Sequence, residues 1–170
     1  MNNTSNRRIL LVGLFILALD QFTKQLVNRY LPVPYDDEKV IIRGFFKFVH
    51  WSNTGAAWSL FSGKNTVLAV VALVALFLLY YNRHHFDAHT AVGQIALGLI
   101  FGGIVGNLTD RLMSHYVTDF LYFYLQQRGG TEIGFPAFNV ADSAICIGVG
   151  IIFLQSLKNE KAAAAVQPPA

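Results

Sequence analysis

Four apolar runs set the pattern of this chain: residues 9–19, 66–81, 91–108 and 140–157. Each is bounded by polar or charged residues, and each predicts a helix fit to cross a membrane. A span of about 18 residues covers roughly 27 Å, just adequate for a bilayer core. The first two runs look shorter, so they lean on flanking polar residues or on local thinning of the bilayer. The first is closed by Asp20 and Lys24, and the predicted helix covers 9–24. Arg7 and Arg8 before a short apolar core also describe a signal peptide, but no small-residue cleavage pattern follows, so the segment reads as an uncleaved first helix. In the third run Gly98, Gly102 and Gly106 recur every four residues, a spacing that lets helices approach closely in lipid.

The segments between the runs carry a different period. Residues 40–42 and 45–51 predict short strands joined at Arg43-Gly44. Phe46, Phe48 and His50 alternate with Lys47, Val49 and Trp51, so the polar alternation is imperfect. Residues 116–125 are aromatic and β-prone, Gly129-Gly130 marks a turn, and 133–138 predict a returning strand. The small, polar stretch Asn53 to Ser59 suits a close backbone approach, and equally a plain turn leading into an amphipathic helix. Residues 160–170 read as a disordered tail, leaving one domain with extramembrane parts at 25–65 and 109–139. An even number of spans puts both termini on one side. The basic residues Arg7, Arg8, Arg83, Lys158 and Lys161 lie on that side in short segments, which assigns it to the cytoplasm.

Composition sharpens this class. Apolar residues make up 54% of 170, and charged residues only 14%, which belongs to a membrane protein. The net charge of +3 is small and scattered, so nucleic-acid binding has little support. The one cysteine, Cys146, excludes an intrachain disulfide. His84, His85 and His89 lack the spacing of a metal site, because adjacent residues do not share a helix face, and read as a solvated loop. No metal or organic cofactor is expected.

The candidate chemistry sits at helix ends. Asp142 is the only charge inside residues 140–157, and a carboxylate there is expensive enough to suggest function. Asn139 three residues earlier makes a capping box an equally weighted reading. Asp119, among Val117, Thr118 and Phe120, has no capping explanation. Two aspartates in a poorly solvated place cannot both ionise easily; one keeps a proton, and the pair can act as acid and base. Asp20 and Lys24 stand at i, i+4 spacing and can simply pair. Asp110 and Arg111 read as an interfacial pair, with Asp110 orienting Arg111, or with Arg111 offering its donors to a substrate carbonyl or an active carboxylate. Five polar clusters, at 20–24, 53–57, 107–111, 119 and 139–142, thus face one side, and none lies mid-span. A small proton-coupled transporter using the same acids would want charges at mid-membrane. A non-enzymatic scaffold, in which the acids only cap and pair, would tolerate neutral isosteres.

These boxes, Leu19-Asp20-Gln21-Phe22-Thr23-Lys24, Asn53-Thr54-Gly55-Ala56-Ala57, Gly106-Asn107-Leu108-Thr109-Asp110-Arg111, Val117-Thr118-Asp119-Phe120 and Phe138-Asn139-Val140-Ala141-Asp142-Ser143, occur in an order that resembles the lipoprotein signal peptidases (signal peptidase II), aspartic peptidases of the bacterial inner membrane. Thr23, Thr109, Trp58 and Val140 depart mildly from the family pattern and remove no charged or amide group. The resemblance implies four membrane helices with a small periplasmic antiparallel β-cradle and a short interfacial helix. It implies cleavage of diacylglyceryl-modified prolipoproteins just before the lipidated cysteine. Membrane lipid is the further partner expected, and a monomer is the expected state. By the same resemblance Asp119 and Asp142 form the catalytic dyad. Asn53, Asn107, Arg111 and Asn139 line and position the site, and Asp20 and Lys24 support its structure.

Overall fold

A computed structural model describes residues 3–55, 63–127 and 129–166. Helix α1 (Asn3–Tyr30) leads through a loop into strands β1 (Glu38–Ile42) and β2 (Phe46–Asn53). Helix α2 (Asn65–Tyr81), a 3-10 turn (Arg83–His85) and helix α3 (Ala91–Met113) follow. Strands β3 (Val117–Gln126) and β4 (Glu132–Gly134) then precede helix α4 (Val140–Val166). Segments of α1, α3 and α4 (Asn6–Tyr30, Ala91–Met113 and Val140–Asn159) are long and apolar enough to cross a membrane; α2 is apolar but shorter, at 17 residues. Large apolar side chains such as Phe15, Phe77 and Phe153 are exposed on the helices, as lipid-facing residues would be.

Two helices outrun their expected ends. The first extends to Tyr30 rather than 24, so it is not one of the short ones. The third continues through Asn107, Thr109, Asp110 and Arg111 to Met113. In both cases the charges that suggested a terminus are paired within the protein, so the helix need not end to solvate them. Thr109 also returns its hydroxyl to the Val105 carbonyl, 2.8 Å away. Helix α4 likewise continues to Val166, where the sequence suggested a disordered tail from 160; residues 167–170 lie outside the described residues.

Helix α3 is central and packs against α1, α4 and α2. The glycine spacing explains the closeness. A Cβ at Gly98 would meet Val12 at 2.6 Å, one at Gly102 the Gly13 carbonyl at 2.6 Å, and one at Gly106 the Asp20 carboxylate at 2.6 Å. The glycine row is therefore the seat of α1, from Val12 to Asp20.

The four strands form one antiparallel sheet in the order β1-β2-β3-β4. The predicted β1 and β2 hairpin turns at Gly44, whose φ of 74° suits glycine. A bulge between Phe48 and Trp51 interrupts the β2 register, which is why the alternation reads imperfectly in the sequence. Beyond it Trp51 pairs with Asp119. Lys47 is buried and bridges Glu38 at 2.6 Å and Glu132 at 2.9 Å, fastening the two outer strands to β2. The returning strand is shorter than 133–138. It spans Glu132–Gly134; the Phe135 N–H still reaches the Phe123 carbonyl at 3.0 Å, Pro136 then brings no N–H to the ladder, and pairing resumes as a bridge between Phe138 and Leu121. The helix suggested after Asn53 would fall on residues 56–62, including Trp58, which lie outside the described residues.

Candidate active site

Two pieces of the fold meet at the site. Asp119 comes from β3, in a run of buried residues opposite β2. Asp142 comes from the first turn of α4. Its capping box is real: the Asp142 backbone N–H donates to Asn139 Oδ1 at 2.9 Å, and the Asn139 N–H donates to Asp142 Oδ2 at 3.3 Å. That box also ties the two acids together, because Asn139 Nδ2 donates to Asp119 Oδ1 at 2.8 Å. The remaining oxygens are held by amides as well: Asn53 Nδ2 to Asp119 Oδ2 at 2.8 Å, and Asn107 Nδ2 to Asp142 Oδ1 at 2.7 Å. Asn139 is wholly buried. Capping and site-building are thus one arrangement at Asp142.

Behind the amides lies a buried ionic layer. Lys24 Nζ is 2.8 Å from Asp20, 2.9 Å from Asp110 and 3.0 Å from Asn107 Oδ1. Asn107 Oδ1 also accepts from Asn139 Nδ2 at 3.2 Å, so its amide can only turn its donors to Asp142. Asp20 Oδ1 accepts the Ala141 N–H at 2.9 Å, capping α4 from α1. Gln21, not singled out in the sequence, donates to Asp110 Oδ1 at 2.8 Å, and the Thr118 N–H donates to Asp110 Oδ2 at 3.3 Å. The expected role of Asp110 is therefore corrected. It belongs to the Lys24 layer, and no hydrogen bond or ion pair joins it to Arg111 among the described residues. Arg111 is instead held by carbonyls, donating to Asn107 O at 3.3 Å and Gly55 O at 3.2 Å. Its Nε is buried with no partner among the described residues.

Asp119 and Asp142 line one cavity of about 770 Å³, together with Asn53, Asn107, Arg111 and Trp51. Asp119 is 3% exposed. Burial, then the neighbouring Asp142 charge, push its carboxyl up to about 7 against the opposing pull of the Asn53 and Asn139 hydrogen bonds and Lys24. Such a carboxyl can hold a proton near neutral pH and release it to a partner of matched affinity. The eight side chains picked from the sequence, Asp20, Lys24, Asn53, Asn107, Arg111, Asp119, Asn139 and Asp142, all meet in this one connected cluster. Among the described residues no three His, Cys, Asp or Glu side chains converge as a metal site would require.

An apolar helical frame with a buried acid pair in a polar-floored cavity defines a class, the enzymes that work at a membrane. Two solved bacterial membrane enzymes, both determined by the in meso method, share the architecture. One is 30% identical with a TM-score of 0.77, over 95% of this chain and 93% of that chain. The other is 32% identical with a TM-score of 0.72, over 88% and 92%. The signal peptidase (SPase) II family pattern matches residues 12–158, and the chain belongs to that family. A lipoprotein signal peptidase of Symbiobacterium thermophilum is 37% identical over 153 residues, 89% of this chain and 95% of that one. Another, of Desulforapulum autotrophicum, is 39% identical over 166 residues, 94% and 98%. The chain is a peptidase that removes signal peptides from prolipoproteins, and a transporter reading finds no support.

Proposed function

We propose that Asp119 and Asp142 are the catalytic pair of this peptidase and share one proton. The observation that carries the proposal is the amide cradle. Every oxygen of both carboxyls receives one amide donor, Asn139 serves both acids, and both line one cavity. The ionised member takes a proton from a water as that water's oxygen bonds to the scissile carbonyl carbon. The protonated member donates to the carbonyl oxygen. Collapse of the tetrahedral species breaks the C–N bond, and the departing nitrogen leaves with a proton from the pair. Acid–base assistance of this kind contributes on the order of 100- to 10,000-fold. Arg111 lines the same cavity, and its guanidinium, steadied by the Asn107 and Gly55 carbonyls, is suited to polarise a substrate carbonyl.

The bond cut is the one just before a diacylglyceryl-modified cysteine. All four helices span the bacterial inner membrane, α2 at roughly 26 Å with local thinning. The termini are cytoplasmic, the sheet and the site are periplasmic, and the protein works as a monomer. Apolar helix surfaces beside a polar cavity support a substrate that stays anchored in lipid. The test is incubation of purified protein with a lipidated prolipoprotein and its unlipidated counterpart, read by the size shift of cleavage. Cleavage of the lipidated form alone is expected; equal cleavage of both would remove lipid from the recognition.

A further inference from the structure

We infer that Tyr35 is a specificity-determining residue that contacts the first residues after the scissile bond. The inference rests on the catalytic reading above.

Tyr35 lies in the loop between α1 and β1 and is unusual in three ways at once. Its φ is 68°, a left-handed conformation that a bulky residue adopts only when the surroundings impose it. Its backbone and side chain are both fixed to β2: the N–H donates to the His50 carbonyl at 2.9 Å, and the hydroxyl to the Ser52 carbonyl at 2.6 Å. Yet the residue is 64% exposed and its ring lines the cavity of the acid pair. An exposed aromatic held this firmly is not filling a core. The loop under it is fixed as well, with the Val33 N–H on Asp37 at 2.7 Å and the buried His50 Nδ1 2.7 Å from the Leu31 carbonyl.

Position and direction follow from the strand. Ser52, which receives the Tyr35 hydroxyl, immediately precedes Asn53, whose amide holds Asp119. One strand residue advances about 3.3 Å, so the ring stands one or two substrate residues from the acid pair. A signal segment is apolar, and the lipid is attached to the cysteine; both must lie along the helices. The chain beyond the cysteine is the only part of the substrate that must leave the bilayer, and its way out passes the sheet side of the cavity. There Tyr35, Trp51 and Phe135 make an aromatic rim. Such a rim favours bulky apolar side chains over glycine.

The clean variant is Tyr35→Gly, because glycine adopts a φ of 68° without strain; the ring and its hydroxyl bond to Ser52 are lost together, while the backbone bond to His50 can stay. Lipidated substrates would carry either leucine or glycine directly after the cysteine; a second pair would differ only in the signal segment. The wild type should cleave the leucine substrate with kcat/KM about fivefold to tenfold above the glycine one, mainly through KM. Tyr35→Gly should bring that ratio to about one, and Tyr35→Phe, which keeps the ring but loses its anchor, should fall between. The ratio for the signal-segment pair should not change. A wild-type ratio near one, an unchanged ratio in Tyr35→Gly, or a shift confined to the signal-segment pair would each overturn the inference. Asp119→Asn is run alongside; normal cleavage by that variant would overturn the catalytic reading instead, and leaves the Tyr35 ratio readable.

Discussion

Asp142 stands on a helix and Asp119 on a strand, and the two halves of the site hold similar groups by different means. On the helical side the support is ionic and deep. Lys24, Asp20 and Asp110 lie under Asn107, which donates to Asp142, and Asp20 caps the helix that carries Asp142. On the strand side the support is a sheet. Asp119 is fixed by its pairing with Trp51 and by the amide of Asn53, with the Asn139 amide reaching across from the helical side, at the mouth where Tyr35 and Trp51 line the cavity. The helical half resists change because a buried charge left alone is expensive. The strand half is where the substrate can shape the site.

The largest expected effect erases both halves at once. Asp119→Asn and Asp142→Asn should each reduce cleavage by a factor on the order of 100 to 10,000. The double variant should lose little more, because groups acting as a unit are not additive. Detergent-solubilised protein should keep its thermal midpoint, since an amide is less costly to bury than a charge. Near-normal turnover in either single variant would leave that residue as a cap or a strand polar group.

Lys24→Met separates the halves next. It strands Asp20, wholly buried, and Asp110 without their cation. The expected loss is about 3–5 kcal/mol of stability, seen as a lower thermal midpoint together with reduced cleavage. Asp110→Asn should do the same more mildly, through Lys24, and should leave substrate affinity alone. A selective rise in KM instead would restore the pairing of Asp110 with Arg111.

The pH response isolates the strand half. In the fold the Asp119 carboxyl sits at about 7, against an ordinary value of 3.8, so the folded state binds its proton more tightly. That contribution to stability is fully present below about pH 4 and is lost as pH rises to about 7, then stays constant. Thermal midpoints measured across this window should fall with pH in the wild type and flatten in Asp119→Asn. Cleavage should decline above about pH 7, as the pair gives up its shared proton; the apparent value belongs to the pair. Activity still rising at pH 9 would exclude a shared proton.

The smallest effect is expected at Asn53. Asn53→Ala removes one of two amides from Asp119 and leaves the other, Asn139, in place. A several-fold loss of cleavage with unchanged folding is expected, and its pH profile should move toward higher pH, because one group favouring the ionised form is gone. A loss as large as that of Asp119→Asn would make Asn53 part of the reaction itself.

The apolar runs, the strand segments and the polar boxes were legible from residue order alone, because helical and strand periods are local and a charge beside an apolar run is conspicuous. The acid pair was legible for the same reason. What only the folded chain decided is which polar group meets which. Asp20 and Ala141 are 121 positions apart, and nothing local tells an acid on one helix that it will cap another. Asp110 has Arg111 beside it in sequence but finds Lys24 and Gln21 in space, since neighbours on a helix point in different directions. The same pairing let α1 and α3 run on past charges that would otherwise have ended them. Tyr35 gave no sequence signal at all: its strained backbone and its place at the cavity come from its bonds to β2, a long-range contact that residue type does not encode.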